Sequence, residues 1–239
     1  MRFLSATILA FGMLAISACS VQQIQKTVDG YLKDAKPTTE EVVSGLKEAL
    51  EKGITNGAKK ASAVDGYYKN PQIKIPFPPD VQKVETKLRQ LGMDKQVDQF
   101  IETLNRGAEE AAKQAAPIFV SAIKQMTIND AWNILKGDKD AATQYLQKTT
   151  TSQLEDKFKP VIQKALDKVN ATKYYGDLVN TYNKVPFVDK VNPDLNDYAT
   201  TLAIDGLFKL VAQEEANIRS NPGARTTELL KKVFKEQDN

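Results

Sequence analysis

The sequence contains no histidine and a single cysteine, Cys19. Without imidazole, the Ser-His-Asp and Cys-His arrangements of nucleophilic catalysis cannot be assembled. With one thiol, a Cys/His zinc set cannot be built either. No glycine-rich loop able to cradle a phosphate occurs; the glycines are scattered at helix ends and packing positions. Carboxylates and hydroxyls are present, but no pair stands in a recognisable acid/base arrangement. These absences point away from an enzyme, and neither a metal nor a cofactor is expected. The charge balance does not select nucleic acid: 33 Lys and Arg face 30 Asp and Glu, with the two signs interleaved as on solvated helix faces. After residue 15 no apolar run approaches the about 20 residues that a membrane-spanning helix needs.

What is present begins with an export signal. Arg2 is a minimal basic start, residues 3–15 are an apolar run, and Ile16-Ser17-Ala18-Cys19 follows. The last four residues resemble a bacterial lipobox. That resemblance implies cleavage after residue 18 and acylation of Cys19, the several acyl chains giving a stable anchor. The plainer alternative is a secretory signal cut after Ala18, leaving a bystander thiol. Ser20, rather than aspartate, is similar to the sorting signal that sends enterobacterial lipoproteins to the outer membrane. The expectation is therefore a lipid-anchored outer-membrane protein facing the periplasm. Residues 19–37 form a tether or a short amphipathic helix, with Val21, Ile24, Val28, Tyr31 and Leu32 on one face. Residues 38–239 then form one helical domain.

Thr38 and Glu41 read as a capping box opening a helix whose Ala49, Gly53, Gly57 and Ala61 recur every four residues. Such a ridge of small residues lets two helix backbones approach closely. Asn70-Pro71 lies beyond that helix, and Ile73, Ile75 and Phe77 alternate with Lys74 and Pro76. Their prolines exclude a central strand, so an extended strap over the helices is expected. Asp80 is read as the cap of a short helix carrying Val81, Val84, Leu88 and Leu91, ended by Gly92. From Asp94 to Met126 the spacing predicts one long central helix. Its stripe runs through Ile101, Leu104, Ala108, Ala111, Ala115, Ile118 and Ala122, and Pro117 bends it. Thr127 with Asp130 starts the next helix, and Asp138 the one after. Residues 149–152 read as a turn, Pro160 as a kink or restart, and Asn192-Pro193 as a cap followed by a first-turn proline. The fold class is all-α: a multi-helix bundle around a central Ala-rich, proline-kinked helix, with one short extended Pro-rich strap.

Several motifs in this order resemble a known family. They are Asn105-Arg106-Gly107-Ala108-Glu109, Ala116-Pro117-Ile118-Phe119, Met126-Thr127 with Asp130-Ala131, and Ile134-Leu135-Lys136-Gly137. Ala141-Ala142-Thr143 with Tyr145 follows, then Asn221-Pro222 with Ala224-Arg225-Thr226-Thr227 and Leu229-Leu230. Together with residues 73–78 they are similar to the bacterial domain of unknown function 4197, over roughly residues 42–234. The resemblance implies an exported helical protein, often a lipoprotein, and no activity or site residues.

Two polar clusters remain. Asn105, Arg106, Glu109 and Asp130 would line a polar pocket at the Pro117 bend, or else cap and brace helix ends. Glu215, Arg219, Asn221, Arg225, Thr226 and Thr227, with Glu214 beside them, would form an anion site for a phosphate or lipid head group. Alternatively they make a salt-bridged corner joining the last two helices, with Glu215 and Arg219 spaced for an i,i+4 pair. The function expected is a non-catalytic binding or structural module of the cell envelope. It would partner the membrane and an envelope protein or lipid, and no nucleic acid. The alternative is a carrier holding a hydrophobic or lipid ligand between its helices.

Overall fold

A computed structural model describes residues 38–234, apart from 185, 188, 189 and 226 and the side chains of Leu178 and Tyr182. The expected signal peptide, Cys19, the 19–37 segment and Thr226 lie outside the described residues. The chain divides into two units, Met1–Lys36 and Pro37–Asn239, and everything below belongs to the second. Among the described residues there are nine α-helices, two 3-10 turns and no strand, so the class is all-α, as expected.

Helix α1 (Thr39–Ser62) opens with the predicted capping box: the Thr38 hydroxyl accepts from the Glu41 N–H, and the Glu41 carboxylate accepts from the Thr38 N–H. The strap follows, with Ile73, Ile75 and Phe77 all buried. A 3-10 turn, Pro79–Val81, leads into α2 (Gln82–Gln90) with Val81 as N-cap, so Asp80 is not the cap. Gly92, at φ +79°, closes α2: its N–H donates to Arg89 O and the Met93 N–H to Leu88 O, the bonding of a Schellman motif.

The expected long central helix is two helices, α3 (Asp94–Ala112) and α4 (Ala115–Gln125), separated by a turn at Lys113 and Gln114. Pro117 has no N–H to offer Lys113 O, and its ring would clash with that carbonyl inside a continuous helix. It sits instead in the first turn of α4, where the missing donor would have been unpaired anyway. The Ala stripe is buried at Leu104, Ala108, Ala111 and Ala115; beyond the break Phe119 and Ile123 take over, while Ile118 and Ala122 are only half-buried.

Helix α5 (Ile128–Lys136) carries the second capping box, Thr127 with Asp130. Helix α6 (Ala141–Asp167) starts behind Asp140, not Asp138, and runs unbroken through residues 149–152 and Pro160. The threonines there do not form a turn, because Thr149, Thr150 and Thr151 turn their hydroxyls back onto the carbonyls of Tyr145, Leu146 and Gln147. Helix α7 (Ala171–Tyr182) leads to α8 (Leu195–Ser220), which Asp194 caps by accepting from the Asp197 N–H; Asn192-Pro193 precedes the cap. A 3-10 turn, Pro222–Ala224, leads to α9 (Glu228–Phe234).

Helices α3, α6 and α8 pack pairwise as the core, α1 packs against α8 and α3, and α4, α5 and α9 pack against α1. The Ala-rich end of α3 is covered, as expected: between Leu104 and Ala112 only Glu110 is exposed. Helix α8 is covered over a wide arc as well, with Gly206, Leu207, Phe208, Leu210 and Val211 all buried, while Thr201, Asp205, Lys209 and Gln213 keep one exposed stripe. The predicted small-residue ridge faces α8: a Cβ on Gly57 would lie 3.5 Å from the Val211 backbone nitrogen. Gly107 does the same between α3 and α6, where a Cβ would lie 3.2 Å from Ala165.

Candidate functional site

Three of the four residues in the first polar cluster are brought together, and their work is to hold the strap. Asn105 is fully buried. Its Oδ1 accepts from the Ile75 N–H at 2.8 Å, and its Nδ2 donates to Ile75 O at 2.8 Å and to Ile101 O at 2.7 Å. One amide thus pairs both backbone groups of Ile75 as a neighbouring strand would. Four residues on, Glu109 accepts from the N–H groups of Tyr67 and Tyr68, each at 3.1 Å, and from Arg106 Nη1 at 2.7 Å. Arg106 also donates to Asp65 and Glu102, and Glu109 above all, with Asp65 and Glu102, pushes its pKa still higher. Asp130 stands apart in its capping box, where the Thr127 hydroxyl and N–H hold its pKa below the ordinary aspartate range. The polar residues therefore brace the chain between α1 and α2 and do not meet at Pro117.

The second cluster is a corner closed by the chain's own groups. Glu215 reaches from α8 to the start of α6. There it accepts from the Ala142 N–H at 3.0 Å, the Thr143 N–H at 2.8 Å and the Thr143 hydroxyl at 2.8 Å. A carboxylate at a helix N-terminus meets both unpaired N–H groups and the positive end of the helix dipole. Arg219 completes the arrangement, 2.9 Å from Glu215 and donating to Ile134 O. Arg225, 2% exposed, donates to Ile218 O and Arg219 O at the end of α8 and lies over the Phe234 ring. Asn221 caps the 3-10 turn through Gly223, and Thr227 accepts from the Leu230 N–H at the start of α9. Glu214 turns away to Lys60. The geometry supports the salt-bridged corner.

The open features lie elsewhere. A cleft of mixed lining, about 580 Å³, runs between the strap and the facing sides of α6 and α8, past Lys74, Gln147, Tyr198 and Lys209. Burial and the neighbouring Tyr175 and Asp80 push Tyr198 up to about 12, and its hydroxyl donates to Pro76 O. An apolar cleft of about 660 Å³ is framed by α2, the start of α3, the end of the strap and the α6–α7 turn. Its floor is Val97 with Phe77 and Phe100, whose rings lie 5.0 Å apart. Val84, Leu88, Val169, Ala171 and Tyr175 form the walls, and Met93 and Tyr174, both exposed, the rim.

A family described as protein of unknown function (DUF4197) matches residues 36–235. The chain belongs to this family. No curated protein and no solved structure matches it. Membership of DUF4197 thus brings no assigned site, and in this DUF4197 protein the candidate site rests on geometry. Sequence reasoning missed the apolar cleft because Val84, Leu88 and Leu91 read as an ordinary core stripe. In the DUF4197 fold α2 buries none of its residues, and Leu91 is 66% exposed. A short helix with an apolar face and charged neighbours gives no sign in sequence of whether that face is covered.

Proposed function

We propose that this protein is a lipoprotein anchored to the outer membrane through acylated Cys19, with a periplasmic helical body that binds without catalysis. The observation that carries the binding part is the apolar cleft. Its volume of about 660 Å³ falls within the roughly 300–1,000 Å³ usual for ligand sites, and its lining is aliphatic and aromatic with Gln96, Gln99 and Lys168 at the edge. The same cleft favours the carrier form of the reading, in which a hydrophobic ligand rests between helices. The buried carboxylates Glu109 and Glu215 are each engaged by backbone N–H groups and an arginine, which suits bracing better than proton transfer.

Mass spectrometry of protein extracted from membranes tests the reading directly. Diacyl or triacyl Cys19 at the mature N-terminus is expected, with the protein in the outer-membrane fraction on a density gradient. The Cys19→Ala variant should leave that fraction. An unmodified Cys19 in cells overturns the anchor.

A further inference from the structure

We infer that the apolar cleft takes one acyl chain of an anionic single-chain amphiphile, with the charged head held by Lys164 and Lys168. This rests on the binding reading above and names its ligand class. Next to the cleft, between α3 and α6, runs a second, polar hollow of about 570 Å³. Gln99, Lys168 and Val169 line both, so the two meet along one wall. The result is an amphipathic pair of spaces: the Phe77, Val97 and Phe100 floor on one side, charged side chains on the other.

The charges of the polar hollow are not equally available. Arg106 is committed to Asp65, Glu102 and Glu109. The two acids, Glu102 and Glu110, are matched by Arg106 and Lys113. Lys164 and Lys168, both exposed on the last turn of α6 and its cap, have no ion-pair partner among the described residues. Two unmatched ammonium groups beside an apolar slot complement a carboxylate or phosphate joined to a hydrocarbon chain. A neutral oil would leave them unused, and a two-chain lipid would have to place its second chain among charges. The shared chemistry is one hydrocarbon chain with an anionic end, supplied by a free fatty acid or a monoacyl phospholipid.

The test uses the full acylated chain in lipid nanodiscs with three diazirine-bearing probes: a C16 fatty acid, the matching fatty alcohol and a lyso-phosphatidylglycerol. Photolabelled peptides are mapped by mass spectrometry. Labelling is expected on residues 84–100 and 168–175, competed by palmitate and removed by Gln96→Trp, which fills the cleft from an exposed rim position. The double variant Lys164→Glu, Lys168→Glu should weaken labelling by the fatty acid or the lyso-lipid about tenfold and leave the alcohol unchanged, since two exposed ion pairs together are worth about that factor. Whichever anionic probe labels more strongly identifies the source. Equal labelling by acid and alcohol, indifferent to the lysine variants, overturns the head-group assignment. Labelling that persists in Gln96→Trp, or that maps elsewhere, overturns the site. Cys19 acylation and outer-membrane fractionation are read on the same samples, so loss of the anchor is seen separately from loss of the ligand.

Discussion

Single side chains in this protein substitute for missing secondary structure. Asn105 stands in for a strand beside Ile75, and its removal would leave one buried N–H and one buried C=O without partners. Each such group costs about 1–3 kcal/mol, so Asn105→Ala should lower stability by about 3 kcal/mol in urea unfolding. Asn105→Asp restores at most the acceptor half and should fall well short of the natural residue. Glu215 plays the matching part at the start of α6. Glu215→Ala takes the carboxylate from Arg219, which keeps Ile134 O, and from two N–H groups of α6, a loss of about 3–5 kcal/mol, as for breaking other buried pairs. Neither residue could be assigned from sequence, because each bonds to chain atoms 30 or more positions away. Their spacing to near neighbours, Glu109 for one and Arg219 for the other, was legible and suggested clusters of which only part assembled.

At the level of elements, the break between α3 and α4 and the contact between α1 and α8 carry opposite lessons. Pro117 lies in a first turn, so Pro117→Ala removes no strain there and frees only the unfolded chain. The expected change is under about 1 kcal/mol, with helix content by circular dichroism unaltered. A marked gain in helix would mean the proline had been bending one rod. In α1, Gly57 faces the Val211 backbone at a distance that is ordinary for a Cβ. Gly57→Ala should therefore be neutral or stabilising by up to about 1 kcal/mol through helix propensity, while Gly57→Leu should destabilise by more than that through overpacking. Thermal melts of the two variants, moving in different directions, would check the close approach. The ridge was legible because helical periodicity is local. The long α6 was not, since its threonines look like a turn until their hydroxyls are seen bonding back along the helix.

The folded body should respond to acid and, through the buried Tyr198, to strong alkali, with little change between. The sequence has no histidine, the side chain whose ordinary pKa lies between pH 5 and 8, so stability should be flat there. Three carboxyl groups are held below their ordinary range: Glu41 by Lys232 and Thr38, Asp65 by Lys69 and Arg106, and Asp130 by Thr127. A carboxyl whose pKa is depressed in the folded state adds stability above its unfolded value and loses that contribution as pH falls through the folded one. Unfolding midpoints should therefore hold constant to about pH 4 and drop below it. Glu41→Gln should soften that drop, because the Lys232 contact joining α1 to α9 no longer depends on ionisation.

The sequence by itself determined the helical class, both capping boxes, the strap and the small-residue ridge, because each depends on residues within one or two turns of each other. It also carried the family likeness, a pattern read in order along the chain. Only the tertiary structure decided that α8 is covered over most of its circumference, that Glu215 closes the start of α6, and that α2 is only half-buried, leaving an apolar cleft beside it. Those outcomes follow from which faces meet across long stretches of chain. An apolar stripe has the same spacing whether a neighbour covers it or a cleft lies beside it.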